Sequence, residues 1–137
     1  MSDETVELLR ELTEASGISG YEQEVREIIR KHLQKIPVIV IRDGSMIPNL
    51  RLRDLFIETA EELKIPYQFD LLDRGGTDSG AIHLHRRGVP NLVVGVPTRH
   101  IHSHAGIIHR DDYDQTVRLV TAVIKKLNAE TVESLTK

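Results

Sequence analysis

Cysteine and tryptophan are both absent from this 137-residue chain. The first absence removes disulfides, thiolate zinc sites and thiol nucleophiles together, and it fits a reducing, cytoplasmic setting. Aromatics are scarce altogether, with two Phe and three Tyr, so aliphatic side chains must fill the core. Neither sign of charge dominates: 18 basic residues against 21 acidic ones leave a net −3. That balance argues against a nucleic-acid footprint or an anionic-membrane surface. "HRR" at 85–87 is a small basic cluster, read as a solvated helix end. No apolar run approaches the ~18 residues that cross a bilayer. The start, "MSDETVELLREL", is acidic and helical where a secretory signal is basic and then apolar. We therefore expect a cytoplasmic protein with no nucleic-acid and no membrane partner.

The length suits one domain. Ser2 or Asp3 caps a first helix with Val6, Leu8, Leu9 and Leu12 apolar, and "ASGISG" (15–20) breaks it. Ser19 then starts "GYEQEVREIIRKHLQKI", where Tyr21, Val25, Ile28, Ile29, Leu33 and Ile36 recur at helical spacing. "VIVI" (38–41) follows at once as a buried strand, with Pro37 the one punctuation between them. A loop at 42–49 leads to a helix over 50–64, with Leu52, Leu55, Phe56, Thr59 and Leu63 inward. A second strand covers 65–72, and a glycine-rich turn, 73–80, opens a helix that ends at Gly88. A third strand spans 91–97. Asp111 or Asp112 caps the last helix, with Val117, Val120, Val123, Ile124 and Leu127 on one face, and the tail "TVESLTK" frays. Alternating strands and helices predict an α/β fold: about three mostly parallel strands covered by four to five helices. Ligand sites in such sheets lie beyond the carboxyl ends of strands, which nominates the loops 42–49, 73–79 and 97–109.

The last of these reads "PTRHIHSHAGIIH" and carries four histidines within ten positions, His100, His102, His104 and His109. Imidazole is the commonest metal-ligating side chain. Extended, the segment would set His100, His102 and His104 on one face about 6.6 Å apart per pair. Helical, it would pair His100 with His104 at i and i+4. Two such nitrogens can chelate one ion, but a zinc site wants three or four ligands, and catalysis adds an open position and a carboxylate base. His83 and His85 flank Leu84 in the predicted helix and point apart.

Other chemistry finds little support. "GGTDSG" lacks both the Lys-Ser/Thr ending of a phosphate loop and a GxGxxG pattern. Ser79 and Ser103 lack a nucleophile elbow. Glu61 and Glu62 are adjacent on a helix and splay apart by ~100°. Polysaccharide cleavage would need two carboxylates about a sugar cleft, for which this chain offers neither the acid pair nor a tryptophan to stack. Asp111 in "HRD" is better explained as a helix cap than as a ligand.

From Arg42 onward, "RDGSMIPN" and "AEELKIPYQFDLLDRGGTDSGAIHLHRRGVPNLVVGVPTRHIHSHAGIIHRDDYD" resemble the C-terminal part of the TET-type glutamyl and deblocking aminopeptidases. "LLRELTEASGISGYEQEVREIIRKHL" resembles that family's N-terminal helices. The resemblance implies a peptide hydrolase that depends on zinc or cobalt, some members carrying an endoglucanase label. In the family a His-x-Asp strand, an inserted β-domain, a bridging Asp, a Glu-Glu pair and a further Asp lie between these two ends. With one C-terminal His they form a two-metal site. Here that middle is missing, and the matching His is His102, in "RHIHSH" where the family reads "RYxHS". His100 stands where an aromatic is usual. Asp78 of "GGTD", with Thr77 beside it, would orient groups around the family's site.

The junction near 35–38 thus reads as an excision, natural or designed, within a single domain over 1–137: N-terminal helices at 1–36 and an α/β part at 37–130. Three readings follow. The favoured one is a truncated remnant with no catalytic residue of its own, holding no metal or one weakly bound divalent ion. A second is a small metal-binding protein using His100, His102 and His104. A third is an active aminopeptidase whose ligands another chain completes, the one case in which a peptide is its substrate. Excision also bares sheet edges, so homodimerisation is expected, through "VIVI".

Overall fold

A computed structural model describes residues 10–11, 36–72 and 74–136. The helices expected over 1–36 fall outside these, apart from Arg10 and Glu11, which are helical, and Ile36. The chain divides into two units, Met1–Gln34 and Lys35–Lys137, and the second carries the architecture that follows.

The β-branched run forms β1, Val38–Asp43, in the middle of a three-stranded sheet. On one side it pairs in parallel with β2, Gln68–Leu72, from Val38↔Gln68 to Asp43↔Leu72. The register slips between Val40 and Arg42, so Ile41 is the extra residue of a bulge. On the other side it pairs antiparallel with β3, Val93–Gly95, through Val38↔Gly95 and Val40↔Val93. The fold is the expected small α/β one, and its sheet is mixed. The central position of β1 corrects the expectation that "VIVI" lies at a bare edge: Val38, Ile39 and Val40 are buried and paired on both sides. An all-aliphatic run gains most where both faces and both edges are covered. Among the described residues, the open edges belong to β2 and β3.

Helix α1, Leu50–Glu62, crosses from β1 to β2. Asn49 caps it by accepting the Leu52 N–H at 2.9 Å. Phe56, Thr59 and Ala60 are buried, and Leu52, Leu55 and Leu63 flank them as the apolar spacing requires. The helix ends in a Schellman turn. The Lys64 N–H donates to Glu61 O at 3.1 Å and the Ile65 N–H to Ala60 O at 2.8 Å, with Lys64 left-handed at φ 53°. Helix α3, Arg110–Lys126, adds Leu119 and Val123 to a core shared with Ile39, Phe56, Ala60 and Ile65.

Helix α3 departs from expectation in two ways. Its cap is His109, whose Nδ1 accepts the Asp111 N–H at 3.2 Å, so Asp111 lies in the first turn instead of capping it. Its buried stripe is Asp112, Thr116, Leu119 and Val123, while Val117 and Ile124 are exposed at 47% and 61%. Val120 and Val123 face the core as expected, with Leu119 fully buried beside them, so the helix is only partly rotated from the valine stripe.

Two further elements differ. The helix expected to run to Gly88 stops after one turn as α2, Ser79–Ile82. Turns follow in which Arg86 and Gly88 are left-handed, at φ 54° and 93°. The tail expected to fray forms α4, Ala129–Ser134. Asn128 caps α4 by accepting the Thr131 N–H, and Leu135 O and Ser134 O accept from Asn49 and Arg51, which ties its end to α1.

Candidate functional site

The histidine-rich segment is a small antiparallel hairpin. Strand β4, Thr98–Arg99, pairs with β5, Ile107–Ile108. Residues 100–106 turn between them, and everything from Arg99 to Ile108 is exposed. His100 and His102 are left-handed, at φ 57° and 65°, and the Ser103 N–H donates to His100 O at 3.0 Å. Neither the extended nor the helical arrangement expected of His100, His102 and His104 is present. A chain that reverses direction within the seven residues 100–106 has no repeating face on which alternate side chains could align. His109, the fourth histidine, is committed to the α3 cap.

Among the described residues, no group of three His, Asp or Glu side chains converges on a point where it could hold a metal ion. A zinc- or cobalt-type site needs at least three such ligands. His102 lies on an exposed turn, so the described residues do not fit a resident metal centre. Glu61 and Glu62 are occupied elsewhere: Glu61 accepts from the Tyr67 hydroxyl at 3.4 Å, and Glu62 pairs with Lys126.

The residues around "GGTD" have different work. Asp43, at the carboxyl end of β1, is 2% exposed. One of its oxygens accepts from the Ser45 N–H and hydroxyl, and the other from the Thr77 N–H at 3.0 Å and hydroxyl at 2.6 Å. Those donors, the Ser45 hydroxyl foremost and then that of Thr77, hold the carboxyl well below the usual carboxylate range. Thr77 is therefore half of a clasp between two loops. Asp78 heads α2 with its side chain exposed and making no capping bond. Sequence reasoning passed over Asp43 and Ser45. The available signal was Asp-Gly-Ser directly after a buried strand, a tight Asx turn.

Strand direction decides which of these residues can cooperate. Thr77 and Asp78 follow β2 and sit at the Asp43 end of β1. His102 follows β3, which runs the other way, so the hairpin lies beyond the Val38 end. β1 spans roughly 16 Å at ~3.3 Å per residue. Asp78 and Thr77 thus leave the sheet at the end opposite to that from which the segment carrying His102 departs. The loops 42–49 and 73–79 share one end of the sheet, and 97–109 occupies the other. His83 and His85 lie in the turns after α2: His83 is half-buried, with Nδ1 3.1 Å from Ser79 O, and His85 is exposed.

The sequence and the fold both have relatives. Residues 15–119 match the model of the M42 glutamyl aminopeptidases. A glutamyl aminopeptidase of Lactococcus lactis subsp. cremoris is 38% identical over 90 residues, 66% of this chain and 24% of that protein. The crystal structure of a TET aminopeptidase from the marine sediment archaeon Thaumarchaeota archaeon SCGC AB-539-E09 superposes with a TM-score of 0.72 at 46% identity, covering 74% of this chain and 28% of that one. PhTET1-12s, a dodecamer in its asymmetric unit, gives a TM-score of 0.61 at 30% identity over 69% of this chain and 28% of its own. The chain therefore spans about a quarter of the length of these relatives. With sequence and fold in agreement over most of its residues, this protein belongs to the M42 glutamyl aminopeptidase family.

Proposed function

We propose that the chain is a reduced, internally truncated M42-type aminopeptidase fold that does not hydrolyse peptides by itself. The observation that carries this reading is the isolation of His102. It is the residue matching the family's C-terminal ligand, yet it stands on an exposed turn with no converging carboxylates among the described residues. The family's chemistry is metal-dependent, and a metal-bound nucleophile requires a closed ligand set with an open position. The relatives' extra length supports loss of the intervening segment. An aminopeptidase assay with added cobalt or zinc is expected to show no release of N-terminal residues above background. Release by this chain alone that a chelator abolishes would overturn the reading.

Three exposed imidazoles within one turn favour a subsidiary property, weak capture of a single divalent ion by His102 with His100 or His104. Calorimetric zinc titration should give a Kd weaker than about 100 μM, some 5.5 kcal/mol of binding. Substitution His102→Ala should weaken it further. The oligomeric relative and the open edges of β2 and β3 support self-association, which we assign to a homodimer formed along a free edge. The absence of cysteine supports a cytoplasmic location, and none of the described helices is long and apolar enough to cross a membrane.

A further inference from the structure

At the Asp43 end of the sheet, and lined by none of the hairpin residues, a hollow of about 380 Å³ opens between the 46–49 loop, the turns after α2 and the end of α4. Its volume is at the low end of small-molecule sites, and it lies widely open to solvent. Its walls are held by four hydrogen bonds. Asn49 Nδ2 donates to Leu135 O at 2.8 Å, and the Asn49 N–H donates to Asn91 O at 3.0 Å. Asn91 Nδ2 donates to Ser79 O at 2.9 Å, and the Val89 N–H to His83 O at 3.0 Å. Three separate segments are thus fixed before any ligand arrives, and such preorganisation lowers the entropic penalty of binding.

The lining divides by chemistry. Ile47, Val89 and Leu135 supply aliphatic surface, with Ile47 75% exposed. Arg87 and His83 are the ionisable groups, and none of the described lining residues is an acid. With His83 Nδ1 engaged by Ser79 O, Nε2 is the ring nitrogen left to meet a ligand. An always-charged guanidinium beside branched aliphatic side chains matches an anion with an apolar body.

We propose that this hollow binds a small carboxylate bearing a branched aliphatic tail, the carboxylate on Arg87 and the tail against Ile47, Val89 and Leu135. The proposal does not depend on whether the chain hydrolyses peptides. Its test is an NMR titration of the full chain at pH 7 with 4-methylpentanoate, beside the neutral 4-methylpentanamide and the cationic 3-methylbutylamine. Saturable shifts confined to residues around 46–49, 83–91 and 135–136 are expected, with Kd on the order of 1 mM. The amide should bind about tenfold more weakly, as should the acid to Arg87→Gln, since a charge-assisted hydrogen bond is worth at least that factor. Arg87 is exposed on a turn, so its replacement leaves the fold intact. A spectrum of Arg87→Gln without ligand, superposable on the wild type away from residue 87, checks this directly. Equal affinity for acid and amide, no saturation with the acid, or shifts centred on the histidine hairpin would each overturn the proposal.

Discussion

Asp43 shows how much one side chain can organise. Its carboxylate accepts four hydrogen bonds from Ser45 and Thr77 and so locks two loops together. A carboxyl whose folded pKa is depressed stabilises the fold fully above its unfolded value of about 3.9. That contribution disappears as pH falls below this toward the folded value. Asp43→Asn should therefore unfold at lower urea concentration at pH 7 and lose less stability than the wild type between pH 4 and pH 2, followed by circular dichroism. Equal acid sensitivity of the two proteins would show that the clasp does not set the acid limb. Its neighbours are equally constrained: a Cβ on Gly44 would stand 2.2 Å from Gly75 O, a backbone atom that cannot turn aside. Gly44→Ala should destabilise by about 1–3 kcal/mol, as overpacking does, measured by denaturant titration. The sequence marks a loop at 42–49 but not a clasp, because Thr77 lies 34 residues from Asp43 and local patterns carry no information at that separation.

At the scale of elements, the periodic segments were legible and the short ones were not. β1 and α1 stand out in sequence because a β-branched run and an i, i+4 stripe each dictate one way to be buried. α2 stops early because the turns from Arg86 to Gly88 and the hydrogen bonds of Asn91 and Val89 hold the chain in another path. α4 exists because Asn128 caps it and α1 receives its end, a tertiary contact that composition does not display. The histidine segment is legible by residue type alone: the reversal at His100 and His102 replaces both the extended and the helical arrangement, and among the described residues no three ligand side chains converge. The end of α1 offers a test of local strain. Lys64 occupies the left-handed position of a Schellman turn, where an L side chain costs roughly 1 kcal/mol and glycine is preferred. Lys64→Gly should raise stability by about 0.5–1 kcal/mol once glycine's unfolded-state entropy is offset, read as a shift in the urea midpoint at unchanged slope.

For the whole molecule, the six-residue cluster around Ile39 and Leu119 joins one strand to two helices. Leu119→Ala should cost about 2–5 kcal/mol and bring the protein close to unfolding, since small domains retain only ~5–15 kcal/mol in total. The sheet is narrow, and its outer strand β2 exposes Phe69 and Leu71 at 50% and 51%. If the free edge is used between copies, light scattering should show mass rising with concentration, and Leu71→Lys should return the monomer. A strictly monomeric wild type at high concentration would remove that reading.

The middle strand also sets the order in which the sheet can be completed during synthesis. β1 meets its first neighbour some 30 residues downstream and its second only when Val93–Gly95 has been made, more than 50 residues after Val38. Until then a nascent chain carries "VIVI" with one flank bare, the kind of short aliphatic segment that seeks a partner in trans. Translation of this polypeptide therefore includes an interval of vulnerability to misassociation, and it closes when β3 arrives.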